Sequence, residues 1–251
     1  MSRTAVISLA LAFAAAPLAA QGPRGGKFPP DSLVNTKVIP HNTPVREVLG
    51  TMRGFTMALG VRCQFCHQGE EGQPLSTYDF PSDRKETKLI ARQMMRMVAE
   101  IDRRVDTLPG RAAGDPTVSC VTCHRGVSIP EPLPQLLADV AQANGADSAV
   151  RAYKALRQRY YGRDAYDFGE NSLPTAAFRL AQASKFAEAM ALLSLNEENF
   201  PGSSGTAVMR GNVQLLQGDT AAAIAAYQEA VRRDSTDREA RGRLQALQRR
   251  P

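Results

Sequence analysis

All four cysteines of this 251-residue chain fall in two copies of one pattern, Cys63-Gln64-Phe65-Cys66-His67 and Cys120-Val121-Thr122-Cys123-His124. C-x-x-C-H is the attachment pattern for c-type haem: both thiols form thioethers to the macrocycle, and the adjacent histidine becomes an axial iron ligand. The spacing has a physical reason. Two intervening residues make one tight turn, which sets both sulfurs along one porphyrin edge and points the next side chain at the metal. A thioredoxin-type site needs a βαβ setting, which no stretch of this sequence suggests. A zinc site of four thiolates needs no histidine after each pair, whereas here each pair has one. A structural disulfide pair is the remaining alternative in an exported chain. The reading that uses every cysteine and both histidines is two covalent haem c groups, attached through Cys63, Cys66, Cys120 and Cys123, with His67 and His124 on iron.

The N-terminus agrees with that chemistry. Arg3 supplies a positive start, Ala5 to Ala16 form an apolar run, and small residues lead to Ala20 ahead of the polar Gln21-Gly22-Pro23, so residues 1–20 read as a secretory signal. The run is short for a membrane span, and an uncleaved anchor is the alternative. With no cysteine near the cleavage point, lipid modification of an N-terminal cysteine is excluded. No later stretch is long and apolar enough to cross a bilayer, so the expected location is periplasmic, where thiol chemistry is tolerated. The formal charge of +6 falls to +5 without Arg3, and four haem propionates would bring it near +1. The basic balance is therefore no sign of nucleic-acid binding, and the arginines read as solvated helix faces.

Periodicity predicts a mainly α fold with few or no strands. Residues 21–34 are rich in Gly and Pro and read as a flexible segment. Thr43-Pro44 opens a helix whose apolar residues Val45, Val48, Leu49, Met52, Phe55 and Leu59 share one face, and Gly60 closes it just before Cys63. A loop over 68–81 follows. The next helix is expected from Ser82 or Asp83, capped by Asp83 and Glu86, to about Arg104, with Ile90, Met94, Met97, Val98 and Ile101 on one face. Pro130, Pro132 and Pro134 read as a linker, giving a dihaem domain over 35–133 and a helical domain over 134–251. In the latter, Ala189 and Ala223 stand 34 residues apart (223 − 189), as do Leu193 and Tyr227 (227 − 193) and Pro201 and Ser235 (235 − 201). That is the period of tetratricopeptide helix pairs, which these stretches resemble. Two departures stand out: Ala177 takes the place of the usual glycine, and the tryptophan is absent.

Each iron needs a second axial group to become a low-spin carrier. Of three histidines only His41 is unassigned, so at most one haem can take a second imidazole, and methionine is the natural donor for the rest. Met52 lies on the apolar face of the helix entering the first turn, while Met57 is about 140° away around it. For the second haem Met94 and Met97 share the apolar face, and periodicity does not choose between them.

These residues resemble the photosynthetic reaction centre cytochrome c subunit family. Thr51-Met52 before the first motif is similar to one member of that family's haem pairs. Thr87-Lys88-Leu89-Ile90-Ala91-Arg92-Gln93-Met94, followed by Val118-Ser119 and the second motif with Arg125-Gly126, is similar to the other. The resemblance spans roughly 34 to 133 and implies Met52 and Met94 as distal ligands, with His41 a minor alternative. The family's subunit has four haems where this chain has sites for two, and it lacks the helical tail. The resulting expectation is a non-enzymatic electron-transfer protein with a redox donor and acceptor, and with the repeats open to a protein partner. A dihaem peroxidase or reductase would need an open sixth position flanked by acid-base groups, and no spare histidine flanks the second site. A haem-containing adaptor acting through its repeats is the other alternative.

Overall fold

Backbone carbonyls near Pro44 and a left-handed glycine at 60 frame the first helix, α1 (Val45–Leu59): the Pro44 oxygen accepts from Glu47 and Val48 N–H, and Gly60 turns the chain at φ 65°. The computed structural model describes residues 27–249. The expected signal over 1–20 and residues 21–26 of the expected flexible segment lie outside the described residues. A long helix, α2 (Glu86–Val105), precedes a single turn of helix, α3 (Cys120–His124), and then come α4 (Leu133–Asn144), α5 (Ala146–Tyr160), α6 (Ser172–Gln182), α7 (Phe186–Asn199), α8 (Ser204–Gln217), α9 (Thr220–Arg233) and α10 (Arg238–Gln248). Among the described residues the strand content is one isolated antiparallel bridge, Gln68 to Asp79. The protein is mainly α.

Two boundaries differ from expectation. α2 starts at Glu86 because the Asp83 carboxylate is engaged elsewhere: it accepts from Arg92 at 2.9 Å and faces Lys88 Nζ at 3.2 Å. Asp83 thus spends its charge on two side chains further along the helix, and does not cap the first turn. Pro134 is the second residue of α4, where its missing N–H costs nothing, and the preceding Leu133 is buried.

The chain divides into two compact units. One holds the described chain up to Met52 together with Arg62–Glu100; the other holds Arg53–Val61 and everything from Ile101 onward. In the second unit, Leu133, Leu137, Tyr153, Leu173, Leu180, Leu192 and Leu193 form the centre of one apolar cluster, and Val208, Ala223, Tyr227, Ala230 and Ala240 form another. The 34-residue offset reappears here, since α7 and α9 begin 34 residues apart (220 − 186). Ala189 and Ala223 are both fully buried, as are Leu193 and Tyr227. A Cβ on Gly211 would come within 2.6 Å of the Tyr227 ring, so the second hairpin needs glycine there. Thirty-four residues earlier (211 − 34, 227 − 34) Ala177 and the smaller Leu193 take the same places, which is why a methyl is tolerated in the first hairpin.

The first unit has no fully buried residue among those described. What holds it is polar and aromatic. Phe80 stacks on Phe28 and Tyr78 with ring centroids 5.4 and 5.7 Å apart, and α2 side chains donate to loop carbonyls as described next.

Candidate functional site

The first C-x-x-C-H is a 3-10 turn over Cys63–Phe65, closed by Cys66 and His67 N–H donating to the Cys63 oxygen at 3.3 and 2.9 Å. This local geometry brings the two thiols and the imidazole together from one turn. The start of α2 fixes the turn in place: Lys85 Nζ donates to the Gln64 oxygen at 2.8 Å, and the Thr87 hydroxyl donates to the Phe65 oxygen. One helical turn on, Lys88 Nζ donates to the oxygens of Phe80 and Ser82, both at 2.8 Å, and of Pro81 at 3.1 Å. This pins Phe80, whose ring meets His67 edge-on at 4.9 Å. Gly69 is required beside it, because a Cβ would lie 2.4 Å from the Tyr78 ring.

Burial pushes the His67 imidazole below its ordinary value, and the charge of Lys88 adds to that; the Phe80 carbonyl acts in the opposite direction without hydrogen-bonding to Nδ1, which is buried and has no partner. Burial likewise raises the Cys66 thiol. Arg92 holds the Asp83 carboxyl well below the usual carboxylate range, with Asn35 and Lys88 contributing. The expectation that the arginines lie on solvated helix faces does not hold for Arg92, whose side chain is 13% exposed and paired with Asp83. The available signal was the spacing of Lys85, Lys88 and Arg92 at i, i+3 and i+7, which puts three cations on one face directly after a loop full of carbonyls.

The second motif forms α3. Ser119 N–H donates to the Thr122 hydroxyl at 3.0 Å, in a capping box, and Val118 N–H donates to Asp102 at 2.7 Å. The helix exits through Arg125 in the left-handed region at φ 47°, then Gly126, whose N–H donates to the Ala58 oxygen at 2.8 Å. Close approach is built in: a Cβ on Gly60 would sit 2.0 Å from the Gly126 oxygen. His124 Nδ1 pairs with the Val127 oxygen at 3.0 Å. Since a carbonyl only accepts, Nδ1 carries the proton and Nε2 is the free nitrogen, the tautomer that iron ligation requires.

The proposed distal ligands lie on the two long helices. Met52 on α1 is half-buried, while Met57 is 80% exposed. On α2, Ile90, Met94 and Met97 are exposed at 48, 40 and 47%, an apolar stripe on a helix with no fully buried residue. His41 sits in an exposed turn, its Nδ1 2.8 Å from the Thr36 hydroxyl. All four thiols are free, and among the described residues no three His, Cys, Asp or Glu side chains converge on a point that could hold a bare metal ion.

The donor set fits haem c: each motif offers two free thiols and an imidazole from one turn. Both turns carry the C-x-x-C-H pattern of c-type haem attachment. The family model of the photosynthetic reaction centre cytochrome C subunit matches residues 63–162, which is 100 of 251 residues (162 − 63 + 1). That stretch is similar to the family and contains both motifs and Met94; Met52 precedes it. The match starts later than the expected 34 and runs past 133 through α5. No curated protein matches the chain significantly. The match supports a cytochrome c-type role in electron transfer, with redox partners and as a carrier rather than an enzyme. No helix of the described residues is long and apolar enough to cross a membrane.

Proposed function

We propose that this chain is an exported dihaem cytochrome that passes electrons between protein partners in the periplasm. Cys63 and Cys66 would hold one haem c and Cys120 and Cys123 the other. His67 and His124 would be the proximal ligands, and Met52 and Met94 the distal ones. When bound, haem iron supplies one-electron exchange between its ferrous and ferric states. The residues do the rest. Cys63, Cys66, Cys120 and Cys123 would hold the groups, His67, His124, Met52 and Met94 would ligate iron and keep water from it, and Lys85 and Lys88 tie the first turn and its neighbouring loop through the Gln64 and Phe80 oxygens. On this reading 35–133 would be the haem-bearing part and 134–251 tetratricopeptide-like repeats that could seat a partner.

One observation carries this reading. Among the described residues before Leu133 the buried apolar side chains are Ala58 and Val127, whereas the two motifs sit in that same stretch. About a hundred residues with so little core of their own are what two large apolar macrocycles would complete.

Expression in a host that matures c-type haem tests it. A covalent haem stain, two haems per chain by pyridine haemochrome, and a low-spin reduced-minus-oxidised spectrum are expected. Met52→Ala and Met94→Ala should each turn one haem high-spin or water-ligated and lower its potential. A colourless product, or one spectrally indifferent to both substitutions, sinks the haem or the ligand assignment respectively.

A further inference from the structure

The two motifs are alike in residue type, so any difference between the haems must come from what surrounds them. The surroundings differ in kind. His124 Nδ1–H donates to the Val127 oxygen at 3.0 Å. That carbonyl cannot swing away: Val127 is buried, its own N–H donates to the His124 oxygen at 2.9 Å, and the preceding Gly126 is tied to Ala58. Such a bond pushes electron density onto the imidazole, makes it a stronger donor to iron and favours the ferric state.

His67 has the opposite setting. Its buried Nδ1 has no acceptor. Its ring lies against Phe80, which itself stacks on Phe28 and Tyr78, so the local medium is apolar. Two cations stand nearby on α2, Lys88 and Arg92, with side chains only 12 and 13% exposed. Asp83 offsets part of their charge, while Lys88 Nζ is held close to the ring by the Phe80 oxygen, to which it donates at 2.8 Å. A weaker donor, a low dielectric and nearby positive charge all disfavour an added positive charge on iron.

Resting on the dihaem reading above, we propose that the haem at Cys63–His67 has the higher reduction potential of the two, so that a single electron held by the protein resides there. The residues responsible are positioning and tuning residues: Phe80, Lys88 and Arg92 at the first site, and the Val127 carbonyl at the second.

A potentiometric titration of the dihaem protein followed in the visible spectrum is the test, with Phe80→Ala as the marker of the first site. Two one-electron waves are expected, and Phe80→Ala, which lets water reach His67, should lower the more positive wave and leave the other in place. Movement of the more negative wave, or of neither, overturns the proposal. Should that variant fail to mature, chains keeping one attachment site each serve instead. The variant with Cys120→Ala and Cys123→Ala should titrate above the variant with Cys63→Ala and Cys66→Ala, and the reverse order overturns the proposal. Fewer than two haems per wild-type chain would defeat the dihaem reading itself, whereas two haems in the wrong order would leave that reading standing.

Discussion

Residues 27–132 and 133–249 are both helical, but they reach stability by different routes. From Leu133 onward, buried leucines, alanines and two fully buried tyrosines interlock in two clusters. Before it, the chain relies on lysine and threonine donors reaching backbone oxygens, on an aromatic stack, and on one backbone contact at Gly126. A helix hairpin that buries leucine stands on protein atoms alone. A stretch whose helices leave Ile90, Met94 and Met97 exposed is one that the haem groups proposed above would complete.

The comparison breaks or holds on four measurements. The largest effect should come from changing Cys63, Cys66, Cys120 and Cys123 together to Ala. Limited proteolysis read by mass spectrometry should then find cuts throughout 27–132 and protection beyond 133; equal protection in both would break the contrast. Leu180→Ala, in the fully buried core of α6, should cost about 3–5 kcal/mol in denaturant unfolding, with little change in the haem spectrum. Gly60→Ala combines a left-handed backbone with a collision against the Gly126 oxygen, and should cost roughly 3 kcal/mol. Its effect should fall on the second haem's spectrum first, because the Gly126 contact steadies the exit from α3. The smallest effect concerns acid. Asp83 is depressed in the folded protein, so its contribution is present above an unfolded value of about 3.9 and is lost as pH falls through the lower folded value. Amide exchange over 79–92 should quicken in that range, and Asp83→Asn should show the quickened exchange already at neutral pH.

Much of this was legible in the residues. The attachment turns follow from spacing, α1 from its apolar period and its closing glycine, and the paired positions Ala189/Ala223 and Leu193/Tyr227 from a simple offset, because each of these signals is local or periodic. The start of α2 was not legible. Asp83 has a cap's spacing to Glu86, but Arg92 and Lys88 compete for the same carboxylate, and a charged hydrogen bond to arginine is stronger than a cap to a backbone N–H. The approach of Gly60 to Gly126 was equally hidden: each glycine reads as a turn residue, and nothing in a local window says that the two turns meet. His124 and His67 look identical in sequence, and their unlike neighbours arise from folding.

The bond from Gly126 N–H to the Ala58 oxygen also sets an order of events. A chain made from its N-terminus can wind most of α1 early, but the Ala58 carbonyl near its end finds its partner only 68 residues downstream (126 − 58). Until residue 126 is present, that carbonyl at the end of α1 lacks its partner. Once the second turn forms, the same bond shuts both ends of the segment together.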